Sequence, residues 1–318
     1  MVGLAREFAA KGRHKHAENV LADLWNIQRN VLHNVNTHGT TAALGEAYRN
    51  LGSDAKAEEI LTGLWNAQRE LLGEAHPRTL QTMNQLEFAY WDAGKAEQDA
   101  GRSAEAKVNL AQAVDLVTQH LNILKDSGGD TQDESQVHLL RLGEIYGSQG
   151  EFKKAEDAFS NLRRILVPPG NGTGISGPRV RNVISHLGWA LFHQQKYKEA
   201  EAVLRVDVRF YDRPERPETE VRYNWEGVLG AVLVAQSKNY EEAEYRLQSC
   251  YKGRLHPIGI GIPAGDVNLL TEQESVAWLV RLYDQWGKPD RAAEWRAKLQ
   301  TDKPAQSSKG SEASERFQ

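Results

Sequence analysis

A leucine, a second large apolar residue four positions on and a glycine or polar residue four positions beyond recur along the chain. An alanine follows thirteen residues after the leucine, as Leu4/Ala17, Leu44/Ala57, Leu142/Ala155, Leu187/Ala200 and Leu279/Ala292. Leu229/Ala243 needs one extra residue and Leu86/Ala106 needs seven. Residues four apart share a helix face, so the leading pair predicts an amphipathic helix that a glycine ends or bends. The alanine predicts a second helix packed closely on the first, because a small side chain permits close approach. Strand signals are nearly absent. The pattern predicts helical hairpins near 1–35, 37–75, 79–125, 134–167, 179–211, 219–253 and 271–299, within one repeat domain over 1–300.

Direct self-similarity supports the repeat. LADLWNIQRNVL (21–32) returns as LTGLWNAQRELL (61–72), and LGEAYRNLG (44–52) returns as LEFAYWDAG (86–94). The extra seven residues of the third unit read as a tandem AGKAEQD (93–99) and AGRSAEA (100–106). Seven residues are about two helical turns, so the insertion nearly preserves the helix face and predicts a lengthened hairpin or a protruding corner. Pro- and Gly-rich breakers fall between units, at His76-Pro77, 127–129, 167–178, 214–217 and 256–265. Residues 301–318 are polar, lack periodicity and read as a disordered tail.

Composition narrows the chemistry. Of 318 residues, 39 are Lys or Arg and 43 Asp or Glu, a net charge of −4 that argues against binding a phosphate backbone. No apolar run reaches the ~18 residues of a spanning helix, and the start lacks the apolar core of an export signal, so a cytoplasmic chain without membrane insertion is the expectation. The single Cys250 excludes an internal disulfide and a cysteine-only zinc site. Gly172-x-Gly174-x-x-Gly177 spells a nucleotide loop, but a helix precedes it and prolines flank it, so a linker fits better. Ten histidines include no HExxH, and His14 and His16 point to opposite sides of a helix. His76, before a proline, reads as a cap. No metal, cofactor or catalytic constellation is expected, and the chain does not read as an enzyme.

Leu-Gly and Tyr on the first helix, Gly at the turn, Ala-Glu on the second and the segment LLGEAHPRTLQTMNQL (71–86) resemble the tetratricopeptide repeat, in the longer variety of kinesin light chains. The resemblance covers 4–299 and implies an all-α right-handed α-solenoid of about seven hairpins. The C-terminal third, through RYNWEGVLGAVL (222–233), NYEEAE (239–244), HPIGIGIPAG (256–265), LLTE (269–272) and LVRLYDQWGKPDRAAEWRAKL (279–299), resembles the repeat tails of bacterial serine/threonine protein kinases. In such tails the last hairpin closes the stack. The kinase domain itself is missing: no HRD, DFG or VAIK-like motif is present. Leu4 already occupies a conserved first-helix position, so the chain reads as a piece of something longer, or its first hairpin is frayed.

The resemblance also implies which first-helix positions face a concave groove. By register these include Arg49 and Asn50; Gln81, Asn84, Phe88, Trp91 and Asp92; Asn182, Ser185, Trp189 and His193; Asn224; and Arg281 and Asp284. Aromatics beside Asn and Arg suit an extended peptide, with aromatic anchors and polar groups fixing its backbone. The alternative is that Trp91 and Trp189 pack between repeats, as Trp25 and Trp65 are expected to do. The functional expectation is a non-catalytic scaffold that binds a protein or peptide in its groove, as the docking or sensory tail of a bacterial signalling kinase. A membrane-anchored parent would place it outside the cytoplasm. The alternative is a self-assembling structural repeat protein with no peptide ligand.

Overall fold

A computed structural model describes residues 1–32, 34–127, 132–167, 178–207, 220–255 and 270–301. Most of the Pro/Gly-rich connections, including the Gly172–Gly177 loop and 256–265, and the stretch 302–318 lie outside the described residues. Among those described the fold is all-helical. The helices are α1 Val2–Ala10, α2 His14–Gln28, α3 His38–Asn50, α4 Asp54–Leu72, α5 Pro77–Asp99, α6 Ser103–Ser127, α7 Gln132–Ser148, α8 Phe152–Leu166, α9 Pro178–His193, α10 Tyr197–Leu204, α11 Glu220–Ala235, α12 Tyr240–Leu255, α13 Glu272–Gln285 and α14 Pro289–Thr301. They divide into two compact units, Met1–Ala158 and Phe159–Gln318.

Odd-numbered helices are the first, or A, helices of hairpins and even-numbered ones the second, or B, helices. In the first unit α1, α3 and α5 lie side by side, and in the second α9, α11 and α13 do. Each B helix α2, α4 and α6 packs between its own A helix and the next.

The sequence pattern has a direct physical meaning. Seven A helices end in a residue with positive φ: Gly12, Gly52, Gly101, Gly150 and Gly287, and, without glycine, Gln195 (60°) and Ser237 (53°). Each turn closes by the same pair of backbone bonds; Gly52 N–H donates to Arg49 O (2.9 Å) and Ser53 N–H to Tyr48 O (3.0 Å). This is the 6→1 and 5→2 bonding that terminates a helix in the left-handed region. The carbonyl accepting the 6→1 bond belongs to the pattern's second apolar residue, as at Phe8, Tyr48, Tyr146, Leu191, Leu233 and Tyr283. The seven alanines Ala17, Ala57, Ala106, Ala155, Ala200, Ala243 and Ala292 are all buried.

Glycines inside the A helices serve close approach instead. A Cβ on Gly45 would stand 2.6 Å from Leu61, one on Gly94 2.7 Å from Leu110, and one on Gly188 2.6 Å from Leu204, each partner sixteen residues on. This register corrects the reading of the third unit. Gly94 lies inside α5 rather than ending it, and the turn is at Gly101. The insertion therefore lengthens the hairpin, with α5 at 23 residues and α6 at 25, and forms no protruding corner.

A second departure concerns Leu4, which is 47% exposed while its neighbour Ala5 is buried. Trp25 and Trp65 each pack, partly buried, against an apolar cluster of the first unit. In the last hairpin Trp295 is buried, with its ring 5.1 Å from Tyr251, and Trp286 stacks on Tyr283 at 6.4 Å.

Candidate functional site

In the first unit the A helices bring together Arg49 of α3, Asn84, Phe88 and Asp92 of α5, and Arg141 of α7. The 84/88/92 spacing puts those three on one face of α5. Phe88 is half-buried, with the guanidinium of Arg141 3.7 Å and that of Arg49 5.1 Å from its ring centre. Such cation–ring contacts contribute roughly 0.5–2 kcal/mol, more as water is excluded. Arg49 also lies 3.8 Å from Asp92, and Arg141 donates to Asn84 Oδ1 at 2.9 Å. Gln81 and Asn50 are exposed on the same helices. Trp91 does not join this face. It is buried, stacks on Phe88 at 6.4 Å, and its indole N–H has no hydrogen-bond partner among the described residues. The expectation that Trp91 faces the groove is corrected to packing.

Arg141 also reaches a buried group that the sequence did not reveal. Glu87, one turn from Asn84 and fully buried, is contacted by Arg141 Nη1, by His120 Nδ1 of α6 at 2.7 Å and by His138 Nδ1 of α7 at 3.2 Å. Burial alone would raise the Glu87 carboxyl, but the hydrogen bond from His120, the His138 ring beside it and the positive charge of Arg141 hold it at about 2. Burial pushes His138 down, favouring the neutral imidazole. Donor atoms of Glu87, His120 and His138 all lie within 4.8 Å of one another, so the cluster expected from no motif has the residues to hold a metal ion. A legible sign existed: His120 interrupts the stripe Ala106, Leu110, Ala113, Val117, Leu124, where an apolar residue is due.

The A helices of the second unit carry an aromatic face. Trp189 lies 4.8 Å from His193, Phe192 lies 5.4 Å from both His193 and Trp278 of α13, and Arg281 covers Trp278 at 4.9 Å. Trp189 and Trp278 are half-buried, while His193 and Arg281 are exposed. The Trp189 and Phe192 rings against it partly desolvate the His193 imidazole and hold it below its usual range, against the pull of Glu274. Trp278 was missed from the sequence, although it sits one turn before Arg281. Two expected groove residues lie elsewhere. Ser185 is fully buried and donates to Arg181 O of its own helix at 3.1 Å, and Asn182 is also buried. Asn182, Ser185 and Trp189 share one face of α9, which is buried along its first turns and opens to solvent only from Trp189 on. Asp284 is exposed but already held by Arg296 at 2.6 Å. The side chain of Asn224 lies outside the described residues.

No helix among the described residues is long and apolar enough to cross a membrane. No protein-family model and no curated protein matches this sequence. Solved structures do. A kinesin-light-chain-like protein with nearly identical TPR-like repeats from Podosopora anserina is 18% identical, with 69% of this chain and 96% of that one covered and a TM-score of 0.51. BtubC (BKLC) from P. vanneervenii is 15% identical over 83% of this chain and 96% of its own, at a TM-score of 0.50. A tetratricopeptide repeat protein from Parabacteroides merdae is 14% identical over 96% and 93%, at 0.51. Identities this low speak to architecture alone, and on that level the helix pairs, the turns and these likenesses agree: the chain has the fold of tetratricopeptide-like helical repeats.

Proposed function

We propose that this chain is a non-catalytic scaffold whose A-helix faces bind a protein or peptide segment. The observation that carries the reading is Phe88, half-buried between Arg49, Asn84, Asp92 and Arg141 on a wall of parallel A helices. Aromatic and arginine side chains dominate binding energy at interfaces, and a half-buried ring held by cations loses little freedom on binding. Asn84 and Asn50 offer the paired donor and acceptor that an extended backbone requires. Trp189, Trp278 and Arg281 supply the same residue types on the second unit. The finer reading, a docking or sensory tail of a bacterial signalling kinase, rests on the sequence segments at 222–233, 239–244 and 279–299.

A photo-crosslinking amino acid placed at Gln81 or His193, both exposed on A helices, should capture a partner from the source proteome. The same group at Val108, exposed on the B helix α6, should not. Capture only from Val108 would move the site to the other face.

A further inference from the structure

We propose that Glu87, His120 and His138 bind one divalent transition-metal ion, and that this ion is structural, joining α5, α6 and α7. Two observations carry the assignment. The candidate ligand atoms converge, one from each residue within 4.8 Å of the others, and atoms bound at 2.0–2.1 Å to a tetrahedral ion stand about 3.3 Å apart. His138 Nδ1 lies 3.2 Å from Glu87 Oε2, and His120 Nδ1 lies 2.7 Å from Oε1. Second, His138 Nδ1 is buried and, despite that proximity, is not aligned for a hydrogen bond with any described residue. Buried polar atoms in folded proteins are almost always satisfied, so this nitrogen points to an absent partner.

The surroundings fit. Arg141 and Asn84 form an outer layer, Arg141 Nη1 holding both Glu87 Oε2 and Asn84 Oδ1, which fixes the carboxylate as second-layer groups do around metals. Two imidazoles and a carboxylate suit Zn²⁺, Co²⁺ or Ni²⁺; calcium and magnesium prefer all-oxygen sites, and no thiolate is present to favour Cu⁺. All three side chains are at most 6% exposed, which closes the site to substrate and makes it a cross-link rather than a catalytic centre.

The test uses the full chain stripped with a chelator. Zn²⁺ should bind with a stoichiometry of one and raise Tm by about 5–10 °C at a hundredfold excess over Kd. His120→Gln and His138→Gln should each lose at least tenfold in affinity, while a His14→Gln/His16→Gln control should not. Should either variant fail to fold, Co²⁺ added to the wild-type chain should broaden the ring resonances of His120 and His138 selectively. No binding, binding retained in both variants, or Co²⁺ broadening confined to other histidines would each overturn the proposal and leave a hydrogen-bonded network.

Discussion

Tyr283 donates its hydroxyl hydrogen to Glu244 across 2.5 Å, joining the last A helix to the preceding B helix. Glu244 is the glutamate that follows a repeat alanine, and the same position acts elsewhere. Glu201 accepts from Gln236 at 2.9 Å, and Glu18 from Ser53 at 2.7 Å. The recurrent Ala-Glu pair therefore does two things: alanine seats the B helix on its own A helix, and glutamate fastens it to the next hairpin. The last unit reads Ala292-Ala293, where no further hairpin is described. A double-mutant cycle tests the link. Glu244→Gln and Tyr283→Phe should each cost about 1–2 kcal/mol, with a coupling near 1 kcal/mol. Additive losses in denaturant unfolding would show that the two groups are independent.

The buried cluster behaves asymmetrically. Glu87→Gln leaves Arg141 buried without its counter-charge and should cost about 3–5 kcal/mol. Glu87→Leu with Arg141→Leu should recover most of that loss, because both charges leave together. Equal damage from the single and the double variant in urea unfolding would contradict the pairing.

Acid should unfold the second unit through Glu201. Burial alone would raise this carboxyl, but Lys238, Arg205 and Gln236 hold it at about 2 against an ordinary 4.5. The folded form thus binds fewer protons than the unfolded one between those values. Its contribution is complete above pH 4.5 and disappears as pH falls through 2, with a slope of at most about 1.4 kcal/mol per pH unit. Glu201→Gln should flatten that limb of a stability–pH curve. An unchanged limb would mean other carboxylates set it.

Two hairpin turns break the glycine rule at a cost. Gln195 and Ser237 sit at φ 60° and 53°, where a Cβ is strained. Gln195→Gly should stabilise the chain by about 1 kcal/mol and raise Tm by a few degrees. Conversely, Gly94→Ala would press a Cβ against Leu110 and its backbone nitrogen at 3.3 Å, and should destabilise by about 1–3 kcal/mol. Opposite signs in thermal melts are the check.

The helical hairpins were legible because their determinants are local. A leucine, its i+4 partner, a left-handed turn and an alanine all fall within about twenty residues, so spacing alone exposes them. The third unit misled for the same reason. Leu86, Tyr90 and Gly94 match the pattern one heptad early, and the turn at Gly101 and the Gly94–Leu110 contact reveal the true frame. Apart from the break that His120 makes in the apolar stripe of α6, the cluster of Glu87, His120, His138 and Arg141 was not legible, since its members converge from three helices. Register put Phe88, Trp189 and Arg281 on the A helices' outer faces, but it could not separate them from Trp91 and Ser185, which are buried.

The most direct test of the scaffold is quantitative affinity capture with the wild-type chain beside a Phe88→Ala/Trp278→Ala variant, both shown folded by circular dichroism. Phe88 and Trp278 are half-buried surface rings, so the variant should keep its helicity. The account predicts a partner retained by wild type and reduced at least tenfold by the variant. Equal recovery of the same partner by both chains would contradict binding on the A-helix faces.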